Sequence, residues 1–221
     1  MQTQSEELMA EEYILDPSLV LYLPLYMLDG TAIMSRDAYG HSCTVTGAIW
    51  TPQGYSFDGD DQITVPATSA LDFTTGNFTF IFWINPTNFA ANRFIYSRGV
   101  WDADGFDTFI YDETGLPALR IHIPGGGTNN CISGLALTAG VFQMHTIVRS
   151  GTQIIFYKNT TQSISDTSAI DATTANRTAY IGSKNGASNF IGSIGEVLIY
   201  NRALTPAEIQ RNYQATKWRY S

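Results

Sequence analysis

Two stretches decide how this chain is read. One is Ser56-Phe57-Asp58-Gly59-Asp60-Asp61-Gln62-Ile63-Thr64-Val65-Pro66. The other runs from Phe190-Ile191-Gly192-Ser193-Ile194-Gly195-Glu196-Val197-Leu198-Ile199-Tyr200-Asn201-Arg202-Ala203-Leu204 into Thr205-Pro206-Ala207-Glu208-Ile209. The first is a polar Asp/Gly turn feeding a β-branched strand. The second is a strand feeding one short helix. Thr205 suits the N-cap, Pro206 the first helical position and Glu208 the third, which makes a capping box. Leu204 and Ile209 occupy the two positions of a hydrophobic staple.

Working outward, short β-branched or aromatic runs separated by Gly, Asn, Asp and Pro fill the chain from Leu19 onward. Leu19 to Leu25 predicts a first strand, with Pro24 marking an edge or an end. Further strands are predicted at Cys43 to Ile49, Arg93 to Arg98, Phe106 to Tyr111, Ala118 to Ile123, Met144 to Arg149, Gln153 to Lys158, Ala179 to Gly182 and Gly195 to Tyr200. Phe78 to Ile84 is the strongest. Its two faces, Phe78/Phe80/Phe82/Ile84 and Thr79/Ile81/Trp83, are both largely apolar, which predicts a central strand covered on both sides. More than seven such runs in 221 residues point to an all-β, two-sheet antiparallel sandwich or jelly roll closed by one C-terminal helix.

The chain is 44% hydrophobic and only 14% charged, enough apolar content for one sizeable core. Its net charge of −8 is uneven: residues 1–17 hold five acids and no base, and the rest holds 15 acids against 12 bases. The chain therefore divides into an acidic arm, 1–17, and a sandwich domain, 18–221. The arm reads either as a disordered tail or as a segment docking on a partner or neighbouring subunit. With no basic cluster, nucleic acid and anionic membrane are not expected partners. No run of about 18 apolar residues predicts a membrane span. Four Glu residues stand where the apolar core of a secretory signal would lie, so none is expected. Cys43 and Cys131 make no disulfide framework; they read as buried free thiols or as one pair.

Leu21-Tyr22-Leu23-Pro24, Asp37-Ala38-Tyr39-Gly40, Ser56 to Pro66, Leu71-Asp72-Phe73, Phe78-Thr79 with Trp83-Ile84-Asn85-Pro86, Tyr157-Lys158-Asn159, Tyr180-Ile181-Gly182 and the closing stretch occur in one order. Phe142-Gln143-Met144-His145 stands where W-H-H is usual. From residue 19 to 213 this set resembles the laminin-G-like jelly roll of the concanavalin A-like lectin and glucanase superfamily. The resemblance implies a fold that binds, often glycans, and seldom does chemistry. It also implies one structural calcium ion, held by carboxylates matching Asp58 and Glu196, with Asp37 a third candidate. The usual Asp of the I-D-E-V strand is Gly195 in this chain. The alternative is that Asp58 makes a turn hydrogen bond and Glu196 faces water.

Trp101-Asp102-Ala103-Asp104-Gly105-Phe106-Asp107 is a second acidic cluster, read as a solvated loop without the full spacing of a calcium loop. Trp101 is either a packed ring or a platform for the apolar face of a pyranose, with carboxylates and amides taking the hydroxyls. Asn129 and Asn130, after Gly125-Gly126-Gly127, form a polar loop that would serve a ligand or simply turn. Trp101, Asp102, Asp104, Asn129 and Asn130 are thus the candidate ligand-binding residues. Three N-x-[ST] triplets are taken as chance.

Catalysis is not expected. The E-x-D-x-x-E string of the superfamily's glucanases is absent, and outside the arm only Glu113, Glu196 and Glu208 remain. His41, His122 and His145 are isolated in sequence and read as surface or satisfied core residues. The expectation is a non-catalytic module of a virion, a capsid decoration or tail protein, bound to other subunits through the arm or sandwich rim and presenting loops to glycans. The alternative is a free secreted lectin-like module, and the third a glycoside hydrolase. Virion or extracellular surface is the location these readings share.

Overall fold

A computed structural model describes residues 16–27, 32–173, 176–184 and 190–221. Nearly all of the acidic arm, residues 1–15, lies outside the described residues. In chain order the strands are β1 (Leu19–Pro24), β2 (Ala32–Met34), β3 (Ser42–Thr46), β4 (Ile49–Thr51), β5 (Gly54–Asp58), β6 (Gln62–Val65), β7 (Phe78–Pro86) and β8 (Arg93–Val100). They continue with β9 (Asp104–Ile110), β10 (Pro117–His122), β11 (Thr128–Ile132), β12 (Gln143–Ser150), β13 (Gln153–Lys158), β14 (Thr161–Ile164), β15 (Ala179–Ile181) and β16 (Ile191–Tyr200), and the helix α1 (Pro206–Thr216) follows.

The strands form two antiparallel sheets. The first has the order β14-β13-β12-β7-β16-β5-β4, with β1 also paired to β16. The second has the order β11-β10-β9-β8-β15-β6-β3-β2. The Asp58-Gly59-Asp60-Asp61 turn is the crossing between them, since β5 belongs to the first sheet and β6 to the second. The Asp58 amide donates to Asp61 Oδ2 at 2.7 Å, which holds the corner.

β7 is central, between β12 and β16. Phe78, Phe80, Phe82 and Ile84 face the inter-sheet core with Ile95, Phe106, Leu119, Ile121 and Ile181 of the second sheet. Ile81 and Trp83 face the other way, into a separate cluster with Leu198, Tyr200, Leu204, Ile209 and Tyr220. The apolar alternation in both registers of β7 thus corresponds to two cores, one on each side. α1 closes the outer one. Its capping box is present, with the Thr205 hydroxyl accepting from the Glu208 amide, and both staple residues, Leu204 and Ile209, are buried.

The structure differs from the predicted strands in three places. Cys43 to Ile49 is not one strand. Gly47, at φ +80°, divides it, so that β3 joins the second sheet and β4 the first. A Cβ at Gly47 would lie 1.9 Å from Asp61 Oδ1, so this break and the Asp58 corner are packed together. Asn129 and Asn130 lie in β11, not in a loop: Arg120 pairs with Asn130 and Ile121 with Asn129. β14 and β2, short polar or exposed edge strands, carry no periodic apolar signal. Cys43 and Cys131 are buried and free, and burial pushes their thiols up to about 12 and about 11.

Replacing Phe80, which packs against Phe73, Phe78, Tyr96 and Phe106, is expected to cost about 3–5 kcal/mol as Phe80→Ala. Losing the α1 cap by Thr205→Ala is expected to cost only about 1 kcal/mol. Urea unfolding of both variants checks the ranking.

Candidate functional site

The two outer faces of the sandwich are not alike. On the first sheet, α1 and the residues after it cover the outer face. Tyr220 stacks on Trp83 with ring centroids 4.4 Å apart, and Trp83 Nε1 donates to Thr216 Oγ1 at 2.8 Å. On the second sheet, no helix lies over the outer face among the described residues. That face carries a row of polar side chains in direct register: Thr44, Thr64, Tyr180, Ser97, Asp107, Arg120 and Asn130. Residues paired across antiparallel strands share a face, so the row lies on one side of the sheet. Its neighbouring row, Phe94, Phe109 and Ala118, is apolar.

Two cations join these rows. The Arg120 guanidinium lies 4.1 Å from the Phe109 ring centroid and 5.1 Å from that of Trp101. Lys184 Nζ lies 5.0 Å from Phe94 and 4.4 Å from Trp101. Each cation therefore touches one buried ring below and the same Trp101, which is 46% exposed. Asp107, only 2% exposed, sits between the charges: His122 Nε2 is 3.1 Å and Lys184 Nζ 3.5 Å from its Oδ2. The Trp101 and His122 rings are 5.4 Å apart. Beside this patch, Ala67, Gly99, Val100, Arg177 and Tyr180 line an open cleft of about 350 Å³.

Of the residues singled out from sequence, Trp101 and Asn130 meet at this patch, linked by Arg120 Nε donating to Asn130 Oδ1 at 2.9 Å. Asp102 turns away and accepts from the Gly127 amide at 3.3 Å, tying the Trp101 turn to the Gly125–Gly127 loop. Asp104 is not in a solvated loop. It is buried at the start of β9, where Arg177 grips it through Nε and Nη2 at 2.8 and 2.6 Å. That guanidinium holds its carboxyl below the usual range. Asn129 is on the opposite side of β11 from Asn130 and contacts Ser168, Ile170 and Cys131.

Asp107, quoted in the acidic cluster, and His122, among the isolated histidines, are not among the candidate binding residues, nor are Arg120 and Lys184. The signal for the strand residues was the alternation itself: Asp107 between Phe106 and Thr108, and Arg120 and His122 around Ile121, are polar positions at period two in otherwise buried strands. His122 is isolated in sequence but not in space, because β9 lies beside β10. His41 is bonded to the Val20 carbonyl at 3.0 Å. His145 is buried between Phe82 and Phe156, and burial pushes its imidazole down to about 4.

Two of the three carboxylates expected to share calcium, Asp37 and Glu196, are held by other groups. Asp37 accepts the amides of Tyr22, Tyr39 and Gly40. Glu196 is fully buried, does not face water, and accepts from the Tyr22 hydroxyl at 3.0 Å and from Arg219 Nη1 at 3.2 Å. Asp58 pairs in register with Ile191. Glu196 lies five residues farther along β16, roughly 15 Å away at strand rise. These residues do not fit a single calcium ion. Arg219 stands as the cation at Glu196, and a Cβ on Gly195 would lie 2.4 Å from the Tyr220 ring. The C-terminal residues thus fill the space of the missing Asp side chain. Among the described residues, the carboxylates close enough to share a metal are those of Asp58, Asp60 and Asp61, whose oxygens lie within 4.8 Å of one another. The hydrogen bond between Asp58 and Asp60 lowers the first carboxyl and raises the second, while burial raises Asp61.

A family model described as concanavalin A-like lectin/glucanases superfamily, of laminin-G type, matches residues 57–210. The chain belongs to this superfamily. The match begins within β5 and ends within α1, so it takes in the first diagnostic stretch from Phe57, the whole of the second, and strands of both sheets. Among solved structures, the chain resembles the ligand-binding domain of botulinum neurotoxin serotype D in complex with N-acetylneuraminic acid (TM-score 0.71, 17% identity, 94% of this chain and 52% of that one). It also resembles the receptor-binding domain of the botulinum neurotoxin C/D mosaic serotype (TM-score 0.71, 14% identity, 90% and 51%). A third is the binding domain of paraclostridial mosquitocidal protein 1 (TM-score 0.67, 15% identity, 89% and 52%). At these identities the likeness is one of fold, and the chain spans about half the length of each of these structures. No curated protein sequence matches the chain. Among the described residues no helix is long and apolar enough to cross a membrane.

Burial pushes the Glu196 carboxyl from 4.5 up to about 7, against the opposing pull of Arg219 and Tyr22. The folded protein then holds this proton more tightly than the unfolded chain. Stability from this group is complete below pH 4.5 and is lost as pH rises through about 7. Glu196→Gln is expected to remove that pH dependence, about 3 kcal/mol in all. Urea unfolding at stepped pH checks it; superimposable wild-type and variant profiles would contradict it.

Proposed function

We propose that this protein is a non-catalytic glycan-binding module and that the outer face of the second sheet, around Trp101, is its binding surface. The single observation carrying this reading is a half-exposed indole resting on Arg120 and Lys184, on the sandwich face that no helix covers among the described residues. A flat exposed ring takes the apolar face of a pyranose, and fixed polar groups beside it take the hydroxyls. Asn130 and Tyr180, in the polar row, and the cleft beside Val100 supply such groups within reach of one oligosaccharide. Membership of a lectin and glucanase superfamily agrees with this reading; function still has to be argued from the site.

The same geometry argues against turnover. Asp107 and His122 form a close pair, but Ser97, opposite Asp107 in register, donates its hydroxyl to the Ser183 carbonyl at 2.8 Å. A Ser-His-Asp relay needs that proton on the histidine side. Glu196, one of the few glutamates available to a glycosidase, is enclosed under Arg219 and Tyr220 on the far sheet.

A second reading concerns assembly. Asp16, at the foot of the acidic arm, accepts from Ser18 and pairs with Arg202 at 2.7 Å, and Arg202 also holds Glu208 of α1 at 2.8 Å. This anchored exit favours an arm that fixes the module to a larger particle, such as a virion. Deleting residues 1–15 is then expected to release the protein from particle fractions with its Tm unchanged; unaltered co-sedimentation would remove this reading.

The glycan reading predicts a defined hit for the full chain on a glycan array. Trp101→Ala should weaken that binding at least about tenfold, as for a lost ring contact of roughly 1.5 kcal/mol, with no change in Tm. Absence of any glycan bound, or an undiminished Trp101→Ala variant, would overturn it.

A further inference from the structure

We infer that the Trp101 site selects an anionic sugar, a pyranose bearing a carboxylate or a sulfate, with Arg120 as the residue that reads the anion. This rests on the glycan reading above and adds the chemical class to it. Arg120 and Lys184 both approach Trp101, and the buried carboxylate set between them is that of Asp107, shared with His122. Of the other acids nearby, Asp104 is paired with Arg177, and Asp102 keeps its charge but accepts from the Gly127 amide. Beside the ring the cations reach solvent while the carboxylate between them does not: the Lys184 side chain is 24% exposed and Arg120 is half-buried, against 2% for Asp107.

Arg120 is also set up as an anion receptor. Its Nε is committed to Asn130 Oδ1, and among the described residues that is its one hydrogen-bond acceptor. The guanidinium plane is fixed against Phe109 and Trp101, which leaves the terminal amines as unused donors along its edge. A rigid guanidinium with two free amines matches the paired oxygens of a carboxylate or sulfate, and its flatness loses little freedom on binding. Lys184 is different. Its Nζ is already 3.5 Å from Asp107, so it supplies a general positive field and support for the indole more than a directed contact. A neutral sugar would leave the Arg120 amines facing water and gain only the ring contact.

The test is calorimetric titration of the full chain with a uronic-acid oligosaccharide, a sialyl-terminated one and a sulfated one, each beside its neutral counterpart in which the acid is reduced or the sulfate removed. At least one acidic probe is expected to bind about tenfold or more tightly than its counterpart, with the preference shrinking as salt is raised. The probe that binds identifies the source of the anion. Arg120→Gln should abolish the preference, so that acidic probes and their neutral counterparts bind alike. Arg120→Lys, which keeps the charge and loses the flat fork, should restore only part of it. Equal binding of acidic and neutral probes, still lost in Trp101→Ala, would overturn this inference and leave the glycan reading standing. A preference unchanged in both Arg120 variants would overturn the assignment to Arg120. No binding by any probe would remove both.

Discussion

Everything in this fold depends on β7 being buried on both sides. A strand with Phe78, Phe80, Phe82 and Ile84 on one face and Ile81 and Trp83 on the other cannot leave either face to water. The second sheet covers the first of these faces. The second face needs its own cover, and α1 with the residues after it supplies that cover. The helix does more than end the chain, because without it Trp83, Leu198 and Tyr200 would form an exposed apolar patch on the first sheet.

That cover has an electrostatic consequence. The segment that lays Tyr220 on Trp83 also brings Arg219 to Glu196, and it occupies the space that a side chain at Gly195 would need. The glycine, the arginine and the buried glutamate are one arrangement. An ion-paired carboxylate in a closed apolar layer is costly to charge, which is why its proton affinity rises even with a guanidinium beside it. The departure from the family's I-D-E-V pattern is thereby given a physical reason: a tyrosine ring from the chain's own end stands where an aspartate would be.

Among the described residues only one outer face is covered by a helix, and the glycan reading proposed above is placed on the other. On that face the sheet supplies order rather than a deep pocket. A polar row and an apolar row run side by side across neighbouring strands, and Trp101, carried on the β8–β9 turn, folds over the two cations that join them. Rigid strands hold Asp107 and Arg120, whereas Trp101 and Asp102 are held by a turn pinned to the Gly125–Gly127 loop. The parts that fix orientation are thus on the scaffold, and the ring that supplies contact area is on its edge.

The amino-acid sequence by itself determined the strand class, the central place of β7, the helix from its cap to its staple, and the ordered set of segments that marks the superfamily. These are local properties: side-chain alternation, turn chemistry and capping act over a few residues. It also offered Trp101 and Asn130 among its candidates, and the fold brings these two to Arg120 on one face. It did not reveal that Asn130 lies in a strand, that Glu196 sits five residues along β16 from Ile191, the partner of Asp58 in β5, or that His122 meets Asp107. Those facts depend on which strands lie side by side and in what register, and register between strands is a property of the assembled sheets. That residues 206–220 close one face, and that no helix among the described residues covers the Trp101 face, emerges only in three dimensions, because covering a face takes residues from distant parts of the chain.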